Sequence, residues 1–350
     1  MKIVGCDLHT RYQQIALLDE ETGELVERRL GHSSGEARTF YARLEGKVRV
    51  GIEATGHTRW FERMLAELGH ELWIGDAAQI RASVVRQQKT DERDAAHLLD
   101  LLLSRRFPRI WRPSLEERDL RQLVWHRQKL VWMRTAVANQ LHALAMGEGV
   151  CRKKKLFTQK GRGELERLQL GPWASRRRQE LLGMLDHLQQ SLKQLDGAVA
   201  EQAERIPAAV QLMTHPGVGP VTSLAFVLTL GPVERFARSK QVVSYLGLNP
   251  REYSSGGRQR LGAISKQGNP MMRSLLVEAG HSAARWDGEL RKDYQRLKLR
   301  RGSGVAKVAI ARKLAVRMYW MLRSHSRYAQ LVRMQGSPRG TLVGGKSPLA

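Results

Sequence analysis

The chain has 350 residues, a formal net charge of +25 and an apolar fraction of 42%. Such a chain suits two or three globular domains and is not disordered, and its charge calls for a polyanionic partner, nucleic acid ahead of an anionic membrane. No 18-residue apolar run and no signal-peptide pattern occur, and two cysteines without a Cys-x-x-Cys pair exclude zinc fingers and a disulfide framework. A cytoplasmic, nucleoid-associated protein with no membrane partner is therefore expected.

The charge is uneven. Residues 1–100 carry 14 Lys+Arg against 17 Asp+Glu, a net of −3, and the remaining 250 residues carry +28. In that acidic stretch Lys2–Asp7, Gln14–Leu18 and Leu25–Leu30 read as strands, with a Glu-Thr-Gly turn at 21–23. A helix pattern spans 35–45, Val48–Glu53 and Glu71–Gly75 read as strands, and Trp60–Leu68 is amphipathic. Helical stretches follow at 77–86 and 92–103. The order β-β-β-α-β-α-β-α predicts a mixed sheet flanked by helices, the order of the RNase H-like fold, although actin-like kinases begin similarly.

Pro108 and Pro113 bound a break, after which 115–146 reads as one long helix with Leu123, Leu130, Val137 and Leu144 seven apart. A second long helix follows a basic stretch. Its Leu181, Leu185, Leu188, Leu192, Leu195 and Val199 step alternately by four and three, the pattern of a coiled-coil seam. The seams predict an intramolecular antiparallel hairpin, a dimerisation arm, or both. His215–Pro220 (HPGVGP) resembles a helix-hairpin-helix turn before a helix at Val221–Leu230, and a plain structural turn is its ordinary reading. Asn269-Pro270 opens a helix with Arg273 in its first turn. Ala306–Leu322 is helical, with Lys307, Arg312, Lys313 and Arg317 around it, and the Gly/Ser/Pro-rich end after about Gly336 reads as disordered. The expected domains are 1–108, 114–206 and 207–330, followed by a tail at 331–350. The expected fold class is thus multidomain α/β plus α: an RNase H-like mixed sheet, a long-helix coiled-coil hairpin, and a mostly helical C-terminal domain.

Four carboxylates fall where elements end. Asp7 and Glu53 close strands; if those strands are parallel neighbours, both emerge at one edge. Asp91 and Asp94, three apart in KTDERDA, share a helix face. Converging acids repel unless a cation joins them, so the set points to Mg2+ (or Mn2+) and phosphoryl transfer. Each has an ordinary reading as a helix cap, strand end or surface acid. Asp76 and Glu92 are rival carboxylates. His9, His57 and His97 lie nearby, as proton-transfer groups or, more commonly, as packed or supporting histidines. Cys6, inside a strand, reads as a packed thiol.

The segments VGCDLHT (4–10), GIEATG (51–56), KTDERDA (89–95), PGVGPVTSLAFVLTLG (216–231) and YLGLNPREYSSGGRQRLGAISKQGNPMMRSLLVEAGHSA (245–283) resemble the transposases of insertion-sequence family 110, across about residues 1–325. The resemblance implies an Asp-Glu-Asp-Asp metal site at Asp7, Glu53, Asp91 and Asp94. It also implies a nucleophilic serine in the Ser-Gly element, Ser255, with Ser254 as the alternative. It further implies a covalent 5′-phosphoserine link, strand exchange between donor and target DNA without free double-strand breaks, and a structured guide RNA that pairs with both DNAs. Acids and serine are about 160 residues apart in sequence, so they would have to be assembled within one subunit or across two, and a homodimer or dimer of dimers is expected. Without the resemblance, Ser254-Ser255-Gly256-Gly257 is ordinary turn chemistry. Arg258, Arg260, Lys266 and Arg273 are candidate DNA-backbone ligands or simply a solvated basic face. Competing readings are a metal-dependent junction nuclease using water, a non-catalytic nucleic-acid scaffold and an actin-like kinase. The kinase is disfavoured by the charge and by missing nucleotide-binding glycine motifs.

Overall fold

The computed structural model describes residues 1–84, 90–152, 155–254, 258 and 260–336. The chain forms two compact units, Met1–Arg112 and Pro113–Ala350.

The first unit contains β1 (Lys2–Leu8), β2 (Tyr12–Asp19), β3 (Leu25–Gly31), α1 (Glu36–Ala42), β4 (Val48–Glu53), α2 (Arg59–Glu67), β5 (Glu71–Gly75), α3 (Ala77–Ser83) and α4 (Asp91–Leu103). The strands form one mixed sheet in the order β3-β2-β1-β4-β5. β1–β2 and β2–β3 are antiparallel, whereas β1–β4 and β4–β5 are parallel. Alternation along each strand builds two cores. Val4, Cys6, Ile15, Val50 and Ile52 pack with Tyr41 of α1 and Phe61 and Leu65 of α2. Ile3 and Ala16 face the other way, toward Ala95, Leu98, Leu99 and Leu102 of α4. Cys6 is the packed thiol that the strand pattern predicts. Burial pushes its pKa up, which suppresses the reactive thiolate. This mixed α/β arrangement is compatible with an RNase H-like domain.

The second unit contains α5 (Leu115–Gly147), α6 (Gln159–Glu166), α7 (Pro172–Arg205), α8 (Pro207–Met213), α9 (Pro220–Leu230), α10 (Ser239–Tyr245), β6 (Pro250–Glu252), β7 (Leu261–Ile264), α11 (Pro270–Trp286), α12 (Gly288–Arg323) and α13 (Tyr328–Gly336). A capping box between Ser114 and Glu117 starts α5. α5 and α7 form an antiparallel hairpin, with Gln140 beside Arg177 and Arg127 paired to Asp196. On α7 the expected seam is buried at Leu181, Leu185, Leu188, Leu192 and Val199, with Leu195 half-buried. On α5 it departs from seven-residue spacing: Leu123, Leu130 and Leu144 are only half-buried, while Val124, Gln128, Val137, Leu141 and Ala145 are buried. A helix of 3.6 residues per turn drifts against a seven-residue repeat, and the buried positions follow the drift.

The base of the hairpin enters the main helical core, where Val124, Val199 and Ala203 join Leu212, Leu224, Phe226 and Met318. α9 is apolar on nearly every face because it lies inside that core. Gly217, at φ 82, belongs to the HPGVGP turn, and a Cβ there would sit 2.4 Å from the backbone nitrogen of Ala283. The turn therefore serves close packing against α11.

α12 is two arms broken at Gly302, whose φ of 82 favours glycine. The arms fold back on each other: Asp293 pairs with Lys313, and Asp287 with Arg317 at 2.7 Å. Arg317, one of the four basic residues distributed around this helix, is buried. Residues 331–336, which the expected domain bounds place in the tail, belong to α13, and residues 337–350 lie outside the described set.

Candidate active site

β1 sets the geometry. Cys6 faces one core, so Gly5 and Asp7 face α4. Cys6 pairs with Ile52 in parallel register, and Asp7 and Glu53 follow as ends of neighbouring strands on that same face. The missing side chain at Gly5 lets α4 lie directly on β1, because a Cβ there would be 2.3 Å from the Ala95 carbonyl oxygen. The Thr90 hydroxyl caps α4 by accepting from the Arg93 N–H at 3.3 Å. Asp91 and Asp94 in the first turn are half-buried toward the sheet, with Glu92 and Arg93 exposed. The positive end of the helix dipole favours carboxylates there.

Asp7, His9 and Asp91 converge, each offering one ligand atom within 4.8 Å of the others. His9 Nε2 lies 3.1 Å from Asp7 Oδ2 and 3.4 Å from Asp91 Oδ2. That nitrogen is buried, yet neither contact is aligned as a hydrogen bond. The Tyr12 hydroxyl donates to Asp91 Oδ2 at 2.8 Å across 79 residues of sequence. Its ring lies 4.7 Å from the His9 ring and beneath the Arg29 guanidinium, 3.7 Å from the ring centroid. The bond to Asp91 raises the Tyr12 pKa, which keeps the phenol a donor.

Two of the four expected carboxylates thus meet directly. Glu53 and Asp94 lie on the same face of the sheet and helix but outside the trio. Of the rivals, Asp76 caps α3 through the Gln79 N–H at 2.9 Å, and Glu92 is exposed. His57 Nδ1 is 3.3 Å from the Thr55 hydroxyl, and His97 Nε2 is 2.9 Å from that of Ser83. Sequence reasoning did not place His9 among the converging donors, although Asp-x-His at a strand end puts both side chains on one face. Nothing local in the sequence marks Tyr12.

Two carboxylates and an imidazole with an orphaned buried nitrogen suit a divalent cation, which would remove the repulsion between the acids and use that nitrogen.

In the second unit, Ser255 lies outside the described residues. Ser254 closes the β6–β7 ribbon: its hydroxyl donates to Glu252 Oε1 at 2.6 Å and accepts the Arg260 N–H at 3.2 Å. Arg258, Arg260 and Lys266 are exposed. Arg273 is half-buried and donates to the carbonyls of Leu246, at 3.3 Å, and Gln267. Its guanidinium is therefore engaged in tying α11 to the preceding loop. Among the described residues, no helix is long and apolar enough to cross a membrane.

Residues 209–295 match the family described as "Transposase IS116/IS110/IS902 family". Residues 4–147 match a second family described as "Transposase", of the DEDD type. The chain is 28% identical over 335 residues to the "Probable family 20 transposase" of Pseudomonas aeruginosa, covering 92% of this chain and 96% of that protein. It is 27% identical to the "Transposase for insertion sequence element IS1111A" of Coxiella burnetii, over 94% of this chain and 91% of the relative. It is 26% identical to the "Transposase for insertion sequence element IS1328" of Yersinia enterocolitica, over 78% and 83% respectively.

Proposed function

We propose that this chain, an insertion-sequence transposase carrying the domains of the IS110/IS116/IS902 family, exchanges DNA strands through a 5′-phosphoserine intermediate with metal-carboxylate assistance, directed by a guide RNA. The observation that carries this reading furthest is the meeting of Asp7 and Asp91 at His9 beside the end of the parallel strands. Glu53 and Asp94, on the same face, complete the acidic set.

A divalent cation at Asp7 and Asp91 would supply Lewis acidity at a phosphate oxygen. The chain's own residues do the remainder. The Ser255 hydroxyl attacks the scissile phosphorus; the Oγ–P bond forms, the bond to the 3′ oxygen breaks, the serine proton is lost and the departing 3′ oxygen takes one up. Attack by the 3′ hydroxyl of another strand reverses these changes and frees the serine. Phosphodiester energy is conserved in the covalent link, so rejoining needs no ATP. Ser255 needs activation because a serine hydroxyl is a weak nucleophile near neutral pH. Arg258, Arg260 and Lys266 supply positive charge for the DNA backbone, while guide pairing supplies the sequence.

The test is DNA labelled on the 3′ side of the scissile phosphate, incubated with full-length protein, guide RNA and Mg2+ or Mn2+. Label retained on protein through denaturation, and lost on chelation, is the expected result. Cut DNA without labelled protein would support water as nucleophile, and chelator-insensitive binding without cutting would support a scaffold. RNase treatment is expected to remove sequence-specific binding and leave salt-sensitive nonspecific binding.

A further inference from the structure

We propose that His9 is a nitrogen ligand of the ion held by Asp7 and Asp91, so that this site binds a first-row transition ion such as Mn2+ in preference to Mg2+. The inference rests on the metal-site reading above and adds both a ligand and a selectivity to it.

Three observations support it. First, His9 Nε2 is aimed between the two carboxylates, 3.1 Å and 3.4 Å from their nearer oxygens. A histidine serving only to neutralise or orient one acid would make an aligned hydrogen bond to it; this buried nitrogen makes none. Second, the donors form a set: one ligand atom from each of Asp7, His9 and Asp91 lies within 4.8 Å of the others, close enough to share one ion. Third, a single residue steadies two of the three. Tyr12 donates to Asp91 Oδ2 at 2.8 Å and packs its ring 4.7 Å from that of His9. The main-chain N–H of His9 donates to the Tyr12 carbonyl at 3.0 Å, closing the turn that carries the imidazole. Metal ligands are commonly held by such supporting hydrogen bonds, and their loss weakens metal binding.

The selectivity follows from donor chemistry. Mg2+ prefers oxygen donors and holds its water tightly, whereas transition ions accept imidazole readily. Replacing one oxygen donor by nitrogen therefore favours Mn2+ over Mg2+.

The experiment uses the full-length chain with Mn2+ alone. Pulsed electron paramagnetic resonance of the bound ion reads whether a ring nitrogen is coordinated, and Mg2+ competition reads selectivity. The wild-type protein is expected to show nitrogen coupling and to hold Mn2+ more tightly than Mg2+. His9→Asn is expected to lose the coupling and to weaken Mn2+ binding roughly 10- to 100-fold, with a smaller change for Mg2+ and an unchanged melting temperature in chelator. Tyr12→Phe is expected to keep the coupling and weaken both ions. Bound Mn2+ without nitrogen coupling in the wild-type protein would overturn the inference without any variant. Coupling that survives His9→Asn, or an equal loss of both ions in that variant, would overturn it too, while leaving the acidic site intact. A wild-type chain that binds neither ion would remove the metal-site reading itself.

Discussion

Gly5 and Ala95 meet through their main chains: any Cβ at Gly5 would lie 2.3 Å from the Ala95 carbonyl oxygen and 2.4 Å from the Leu99 nitrogen. This close approach seats α4 on β1 and delivers Asp91 to Asp7. Gly5→Ala is expected to push α4 away, costing about 1–3 kcal/mol by analogy with overpacked cores, and to weaken Mn2+ binding. Urea denaturation and metal titration of the same variant check both effects. Normal stability with normal metal affinity would show that the approach does not position the site.

Ser254 and Ser255 separate by substitution. The Ser254 hydroxyl is engaged by Glu252 and the Arg260 N–H. Losing such bonds costs on the order of 1 kcal/mol each, so Ser254→Ala is expected to slow adduct formation by roughly tenfold and not abolish it. Ser255→Ala is expected to give no adduct while DNA binding stays normal. Denaturing gels and a DNA-binding titration read the two effects; the opposite pattern would assign the nucleophile to Ser254.

His215 makes stability depend on pH. It is nearly fully buried, with Nδ1 2.8 Å from the Pro216 carbonyl and its ring against Tyr328. Burial lowers its pKa to about 4, well below the ordinary histidine value of about 6.5. The unfolded chain therefore takes up a proton that the folded chain refuses, and stability falls as pH drops from about 6.5 to about 4, by at most about 3 kcal/mol. His215→Asn is expected to flatten that part of the profile measured by urea denaturation. An unchanged slope would place the proton uptake elsewhere.

The two arms of α12 are held by a buried ion pair. Burial alone would raise the Asp287 pKa; the Leu290 N–H, the Tyr328 hydroxyl and Arg317 reverse that and hold the carboxylate low. Arg317→Met strands the acid and is expected to cost about 3–5 kcal/mol. Asp287→Asn combined with Arg317→Met is expected to cost less than the two single effects summed, because the stranded charge is gone. Additive costs in a double-mutant cycle would contradict the coupling.

The strands and long helices were legible because burial repeats along them. Val4, Cys6 and Ile52 alternate with residues facing α4, and Leu181, Leu185 and Leu188 keep to one side of α7. The β6–β7 ribbon was not legible: its strands have three and four residues, and β7 is largely exposed, so burial leaves no period to read. The pairing of Arg317 was not legible because its partner, Asp287, is 30 residues upstream and reaches it only through the fold at Gly302. In the candidate site, Asp7 and Asp91 could be named from their places at element ends. Tyr12 could not, since its role is fixed by a pairing with Asp91 that only the packing of α4 on the sheet creates.

The acids of the first unit and the Ser-Gly serine are proposed to serve one reaction. Peptide mapping of the DNA-linked protein, compared between wild type and Asp91→Asn at equal DNA occupancy, tests this most directly. The expected result is a nucleotide on the peptide containing Ser255 in the wild type and no linked peptide in Asp91→Asn. A linked peptide of equal yield in Asp91→Asn, or one mapping outside residues 251–260, would contradict it.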